Sequence, residues 1–396
     1  MSTTIARLGR RLRLGVIGGG AGSFIGPVHR AAARIDDHYE VVAGVLSSDA
    51  ERSRRQGLEI GLAADRAYGT PAEMFAAEGK RGDGIDVVAI MTPNDSHCAL
   101  SQAALERGLD IICDKPLATN LEDAVELARL VKQSGRVFCH TFNYTGYPMV
   151  RQARAMVRDG DIGEIRMVQV EYVQGHAASI MEGERGDRPG WKFRREMAGP
   201  SLILGEIGSH GHHMASFVTG LPFAKVMADV GTVVPGRNAH DNAMILFRLE
   251  NGAQGTNGAQ GTMWVTQAAA GAVHGLKFHV FGATGGLEWF QEEPNQLRHS
   301  RLGAPMQTFE RHGPGLKPEA LKAGRVGIGH PEGYQEAFAV LYAEAAEAIV
   351  ARKLGEPVTL PPDMATVEDG VRTMRFIEAA LESSRTGGWA DCRIAI

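Results

Sequence analysis

The chain has 396 residues, 44% hydrophobic and 22% charged, a composition that excludes a disordered polymer, a collagen-like fibre and a disulfide-stapled mini-protein and leaves room for two domains. Its 42 basic and 46 acidic side chains give a formal charge of −4, too even a balance to point to a nucleic-acid or membrane partner. No run approaches the roughly 18 uninterrupted apolar residues of a membrane span, and Cys98, Cys113, Cys139 and Cys392 form no Cys-x-x-Cys pair, so free thiols in a reducing cytoplasm are expected.

The basic opening, Met1 to Arg11, has no apolar signal core and reads as a frayed terminus. From there to about residue 140, short apolar runs alternate with helical patterns. Strands are predicted at Leu12–Ile17, Glu40–Leu46, Asp86–Met91, Leu109–Cys113 and Arg136–Cys139, and helices at about 28–36, 49–62, 71–79, 95–108 and 120–134. That alternation implies a parallel sheet covered on both faces, a Rossmann-type α/β domain over 1–140. After a helix near 147–160 the pattern changes to successive strands, at Arg166–Gln174, Lys225–Val234, Ala243–Glu250, Met263–Ala270, Lys277–Gly282 and Gly286–Phe290. An α+β domain with a large, mostly antiparallel open sheet is expected over 141–396, with helices at Glu332–Arg352 and Val367–Ser384 packing back on a sheet or across the junction. The hexapeptide Asn251–Thr256 recurs letter for letter as Asn257–Thr262 and reads as a lengthened, mobile hairpin turn without catalytic duty.

The first strand runs into Gly18-Gly-Gly20-Ala-Gly22-Ser23-Phe24-Ile25-Gly26 and then a helix. Bare backbone N–H groups at a helix N-terminus suit a dinucleotide pyrophosphate. Gly18 and Gly20 supply the tight turn, Ser23 replaces the usual third glycine, and Gly22 and Gly26 offer alternative alignments. After the second strand, Ser47-Ser48-Asp49 places Asp49 either on the adenosine ribose or at a helix N-cap, and Arg52, Arg54 and Arg55 leave NADP possible beside the favoured NAD.

Two further turns fall at carboxyl ends of parallel strands, the edge where open α/β sheets bind ligands: Thr92-Pro93-Asn94-Asp95-Ser96-His97 and Asp114-Lys115-Pro116. In Gly205-Glu206-Ile-Gly208-Ser-His210-Gly211-His212-His213, a helical rotation of about 100° per residue puts His210 about 40° and His213 about 20° from Glu206, with His212 about 120° away. The glycines form a bare stripe beside that face, open to a flat ligand. A carboxylate and imidazoles on one face suit acid/base chemistry, a metal site or hydrogen-bonded histidines at a junction; the absence of a further ligand motif makes metal the weaker choice, and none is assigned.

These residues, in this order, resemble the Gfo/Idh/MocA family of nicotinamide-dependent oxidoreductases over nearly the whole chain. The family's Glu-Lys-Pro signature stands here as Asp114-Lys115-Pro116, and its Asp-x-Gly-x-His segment as Glu206–His210. Asn143-Tyr144-Thr-Gly-Tyr-Pro148 and Gly329-His330-Pro-Glu-Gly-Tyr334 resemble the branch containing levoglucosan, inositol and other sugar dehydrogenases. The resemblance implies that Lys115 sits by the nicotinamide cofactor and the reacting hydroxyl and that His210 is the general acid/base, with Glu206, the third catalytic residue, at the usual aspartate position. It implies further cofactor contacts from Thr92, Pro93, Asn94, His97, Asp114 and Asn143, beside Phe24, Ile25 and Ser48. Tyr144, Trp191, Arg194, His213, His330 and Tyr334 have the aromatic faces and polar tips that suit a sugar or polyol substrate. A homo-oligomer, dimer or tetramer, pairing its second-domain sheets face to face, is also implied. The rival expectations are a catalytically silent nicotinamide sensor and a metal-dependent isomerase or lyase built on Glu206, His210 and His213.

Overall fold

The computed structural model describes residues 2–179, 190–250 and 258–396. The chain divides into two compact units: Met1–Ala118, Glu122–Thr141 and Phe338–Gly370 make the first, and Thr119–Leu121, Phe142–Ala337 and Val371–Ile396 the second.

The first unit opens with α1 (Thr3–Leu8), not a frayed end: Ser2 caps it by accepting the Ile5 N–H, and Gly9 closes it in the left-handed region at φ 73°. Two caps of this kind stabilise a helix that a propensity reading passes over. There follow β1 (Leu12–Gly18), α2 (Ile25–Ile35), β2 (Tyr39–Val45), α3 (Ala50–Glu59), α4 (Pro71–Glu78), β3 (Val87–Met91), α5 (His97–Leu105), β4 (Asp110–Cys113), α6 (Leu121–Ser134) and β5 (Phe138–His140). The five strands form one parallel sheet in the order β2-β1-β3-β4-β5. β3 and β4 are buried at every position, as apolar strands without alternation must be when both faces of a sheet are covered. Asp110 at the start of β4 is buried but bonded by the Arg352 guanidinium, with Nη2 to Oδ2 at 2.6 Å.

The second unit contains α7 (Pro148–Arg158), β6 (Ile165–Val173), the short α8 (Arg195–Ala198), α9 (Ser209–Thr219), β7 (Phe223–Gly231), β8 (Asn242–Leu249), β9 (Gln260–Thr266), β10 (Gly275–Gly282), β11 (Gly285–Phe290), β12 (Gln296–Arg301), β13 (Gln307–Glu310) and α10 (Pro318–Ala323). The chain continues through α11 (Tyr334–Lys353) and α12 (Val367–Thr386) to the two-residue β14 (Ala390–Asp391). The nine-stranded sheet has the order β13-β12-β11-β10-β6-β9-β8-β7-β14, and its pairs are antiparallel except β6 with β9. Strands β12, β13 and β14 carry too few apolar residues to show a pattern.

The first hexapeptide copy lies outside the described residues. In the second copy Gln260, Gly261 and Thr262 belong to β9, because a bare Gly261 admits the Phe247 ring: a Cβ there would stand 2.0 Å from Phe247 Cζ. That copy is therefore not wholly a turn.

Alternation in β6, β8 and β9 buries Val168, Val170, Ile245, Phe247, Met263 and Val265 on one face. By register the other face carries Met167, Met227, Met244, Leu246, Trp264 and Phe281, all exposed. Among the described residues no helix is long and apolar enough to cross a membrane.

Candidate active site

In the first unit the glycine turn presents backbone because its surroundings leave no room for side chains. A Cβ on Gly20 would lie 2.1 Å from the Leu46 carbonyl oxygen, and one on Gly26 would lie 2.0 Å from that of Gly19. Gly26 thus performs the close helix-to-turn packing expected of a third glycine, while Ser23 accepts the Gly26 N–H at 3.2 Å. Two side chains without a sequence signature brace the turn: Gln56 accepts the Ala21 N–H at 3.3 Å, and Arg30 donates to the Gly19 carbonyl at 2.7 Å. Gly20, Ala21, Gly22, Ser23, Leu46 and Gln56 help line a cavity of about 130 Å³. Phe24 and Ile25 stand at the start of α2, Phe24 largely exposed. Bare backbone at a helix N-terminus fits a dinucleotide.

At the end of β2, Asp49 caps α3, its carboxylate accepting the Arg52 N–H at 2.7 Å. Arg52 in turn donates to Ser47 Oγ at 2.7 Å, and Ser48 is exposed. After β3, Thr92 and Pro93 lead into a short 3₁₀ turn over Asn94–Ser96. His97 is a strut: Nδ1 lies 2.8 Å from the Pro116 carbonyl and Nε2 lies 2.9 Å from that of Thr92, so the ring ties together the loops that follow β3 and β4. Asp114 accepts the Lys115 N–H at 2.9 Å and the Thr141 hydroxyl at 2.8 Å, which fixes the backbone that carries Lys115.

In the second unit the glutamate-histidine segment is not a uniform α-helix. Leu204–Gly208 forms a π turn before α9, so rotation by 100° per residue does not hold between Glu206 and His210. One glycine of the stripe serves packing: a Cβ on Gly211 would meet Met263 Sδ at 3.1 Å and Val170 Cγ1 at 3.5 Å, which sets α9 close against the sheet.

His210 sits among rings from other elements. Tyr144 stands edge-on to it at 4.8 Å between centroids, with Phe142 and Tyr172 both at 6.1 Å. The Tyr144 and Tyr172 hydroxyls are 2.5 Å apart, and Tyr334 lies 6.2 Å from Tyr144. Burial pushes Tyr144 well above the usual tyrosine range and Tyr172 up to about 12, with the Glu206 charge adding to the latter, so both hydroxyls stay protonated at neutral pH. Asn143 is buried, and its Nδ2 has no acceptor among the described residues.

His213 stacks on Phe142 at 4.0 Å and His212 on Phe376 at 4.6 Å; burial drives both imidazoles down to about 3, keeping them neutral. Glu206 pairs with Lys192 at 2.5 Å, and Trp191 adjoins, with Lys192 Nζ 5.8 Å from its ring centre. Arg194 and His330 are exposed, the latter in a segment whose backbone is held by the buried Arg311–Glu332 pair.

Sequence reasoning passed over Tyr172 and Lys192. Tyr172 is one inward position of an alternating strand and carries no motif of its own. Lys192 had one available signal, the glutamate where the resembled family has aspartate, since a longer carboxylate reaches a different partner. Among the described residues no group of three His, Cys, Asp or Glu is placed to hold a metal ion.

Two family models match the chain: the oxidoreductase family with an NAD-binding Rossmann fold over residues 12–142, and the GFO/IDH/MocA C-terminal domain over residues 150–288. The uncharacterized oxidoreductase YfiI of Bacillus subtilis (strain 168) is 34% identical over 393 residues, 97% of this chain and 98% of its own. The levoglucosan dehydrogenase of Pseudarthrobacter phenanthrenivorans is 27% identical over 332 residues, 78% of this chain and 80% of its own. A crystal structure of an inositol dehydrogenase homolog from Azotobacter vinelandii, complexed with NADH and myo-inositol, superposes with a TM-score of 0.88 at 35% identity, covering 96% of this chain and 98% of that one. The chain belongs to the Gfo/Idh/MocA oxidoreductase family.

Proposed function

We propose that the protein is an NAD(H)-dependent dehydrogenase that oxidises a secondary ring hydroxyl of a sugar, glycoside, anhydrosugar or cyclitol to a ketone, or runs the reverse reduction. The observation that carries the reading is the setting of His210: an imidazole edge-on to a tyrosine, beside two protonated tyrosine hydroxyls, on a chain similar to enzymes named for levoglucosan and inositol. When bound, the nicotinamide supplies the hydride acceptor or donor. Gly18, Gly20, Ser23 and the start of α2 would hold the pyrophosphate on backbone, and Ser47 with Asp49, which also caps α3, would meet the adenosine ribose. His210 takes the hydroxyl proton as the carbon is oxidised, and the Lys115 ammonium stabilises the developing alkoxide. Tyr144, Tyr172 and Tyr334 present hydroxyls and ring edges to the substrate, and the buried Asn143 amide supplies a donor that needs an acceptor.

A fluorescence titration of cofactor-stripped protein with NADH and with NADPH tests the first half of this reading, and a polyol and glycoside turnover screen the second. Saturable NADH binding with turnover of a ring polyol is expected. Binding of neither nucleotide by folded protein would reject it.

The exposed Met167, Met244, Leu246, Trp264 and Phe281 face supports a homo-oligomer in which a second copy covers it, since apolar patches of this kind on a polar surface mark contact sites.

A further inference from the structure

We propose that Lys192 and Glu206 act as one clamp on two adjacent ring hydroxyls, the ammonium donating to one and the carboxylate accepting from the other, which makes Lys192 a specificity-determining residue. The inference rests on the reading of His210 as the acid/base group. Lys192 Nζ stands 2.5 Å from Glu206 Oε2, with side-chain exposures of 38% and 14%. A pair sealed in the core serves packing, and one fully in water contributes little; this pair is partly desolvated and still accessible.

Its position links the pair to the reacting group. Glu206 lies in the π turn that leads into the helix bearing His210. The Glu206 charge acts on Tyr172, whose hydroxyl meets that of Tyr144, and Tyr144 stands edge-on to His210. Trp191, beside Lys192, offers an aromatic face to the C–H side of a ring whose hydroxyls the clamp holds. A carboxylate bonded to an ammonium serves as an acceptor, which leaves proton transfer to His210. A merely structural role for Lys192 is less suited to the fold, because Phe193 in the same turn already lies 5.9 Å beneath the Arg237 guanidinium, itself bonded to the buried Asp241.

The test is steady-state kinetics of the NAD-loaded protein with myo-inositol and levoglucosan, and with monodeoxy analogues of whichever is turned over. Lys192→Met is expected to raise KM by about tenfold or more while kcat falls far less, the size expected when a hydrogen bond to a charged group is lost. Glu206→Gln should act in the same direction, with the double variant no worse than the worse single one. One deoxy analogue that the wild type discriminates against should be treated by Lys192→Met like its parent, a change that an anchoring role for Lys192 would not produce. Lys192→Gln, which keeps a donor, should fall between, and NADH titration checks that each variant is folded. Wild-type KM and wild-type discrimination in Lys192→Met, in an enzyme that His210→Asn inactivates, would overturn the clamp alone. Turnover of neither polyol, or full activity in His210→Asn, would overturn the underlying reading and the clamp with it.

Discussion

The two units carry their candidate sites in different material. In the first the site is backbone, kept bare by close packing at Gly20 and Gly26. In the second it is a set of side chains, Tyr144, Tyr172, His210 and Glu206, drawn from a 3₁₀ turn, a strand, a helix and a π turn. A backbone site is written in a few neighbouring letters, whereas a side-chain site depends on which distant elements the topology brings together.

The sharpest way to break that comparison is to damage each site alone. His210→Asn should lower turnover by about 10³-fold, within the range of a lost acid/base group, while NADH affinity stays within about threefold. Lys115→Met should lower turnover to a similar extent. Steady-state rates beside an NADH titration check both, and a His210 variant that loses NADH binding would argue that the histidine serves the fold rather than the reaction.

The converse experiment is Gly20→Val. Its Cβ would lie 2.1 Å from Leu46 O and 2.3 Å from Gln56 Oε1, so the turn must move and NADH affinity should fall by about 100-fold or more. Gln56→Ala, which removes only the brace on Ala21, should weaken NADH by a smaller factor.

This contrast explains what was legible. The parallel sheet, the glycine turn and six strands of the mostly antiparallel sheet followed from uninterrupted apolar runs, turn chemistry and alternation, whereas the order of those strands in the sheet did not. The α1 caps, Gln56 and Tyr172 did not, because a cap or a brace is one residue whose partner is set by tertiary packing. The glutamate-histidine face was read with the wrong geometry, since periodicity assumes one helix type and Leu204–Gly208 takes the wider turn. His97 illustrates the same limit: its place in a recognisable stretch said nothing of the two carbonyls it joins.

Acid should act chiefly on the histidines around the second unit's site. His212 and His213 titrate near 3 in the fold against about 6.5 when unfolded, so the unfolded chain binds protons first as pH falls. Their contribution to stability is full above about pH 6.5 and is lost progressively toward pH 3, on the order of 5 kcal/mol for each ring over the whole range and about 2 kcal/mol each by pH 5. Urea unfolding at pH 7.5 and pH 5 should show this loss, and His213→Phe, stacked on Phe142, should reduce the difference between the two. An unchanged midpoint across that range would mean that these rings are hydrated.

The exposed sheet face gives a smaller change in energy with a clear readout. Leu246→Glu together with Met244→Glu should lower the mass found by light scattering to that of a smaller assembly, with the monomer's fold retained. An unaltered mass would place any oligomer contact elsewhere.

The smallest effect bears most directly on how a glycine fingerprint is read. Ser23 occupies the third-glycine position, yet the close approach belongs to Gly26, whose Cβ would stand 2.0 Å from Gly19 O. Ser23→Ala removes only an acceptor for the Gly26 N–H and should cost about 1 kcal/mol of stability, with at most a few-fold loss of NADH affinity. Gly26→Ala, a change of the same size three residues on, should cost several times more, because backbone rather than a movable side chain stands in the way. Thermal melts of the two variants side by side separate the letter of the motif from its function: equal losses would return the packing role to Ser23, and the expected inequality assigns it to Gly26.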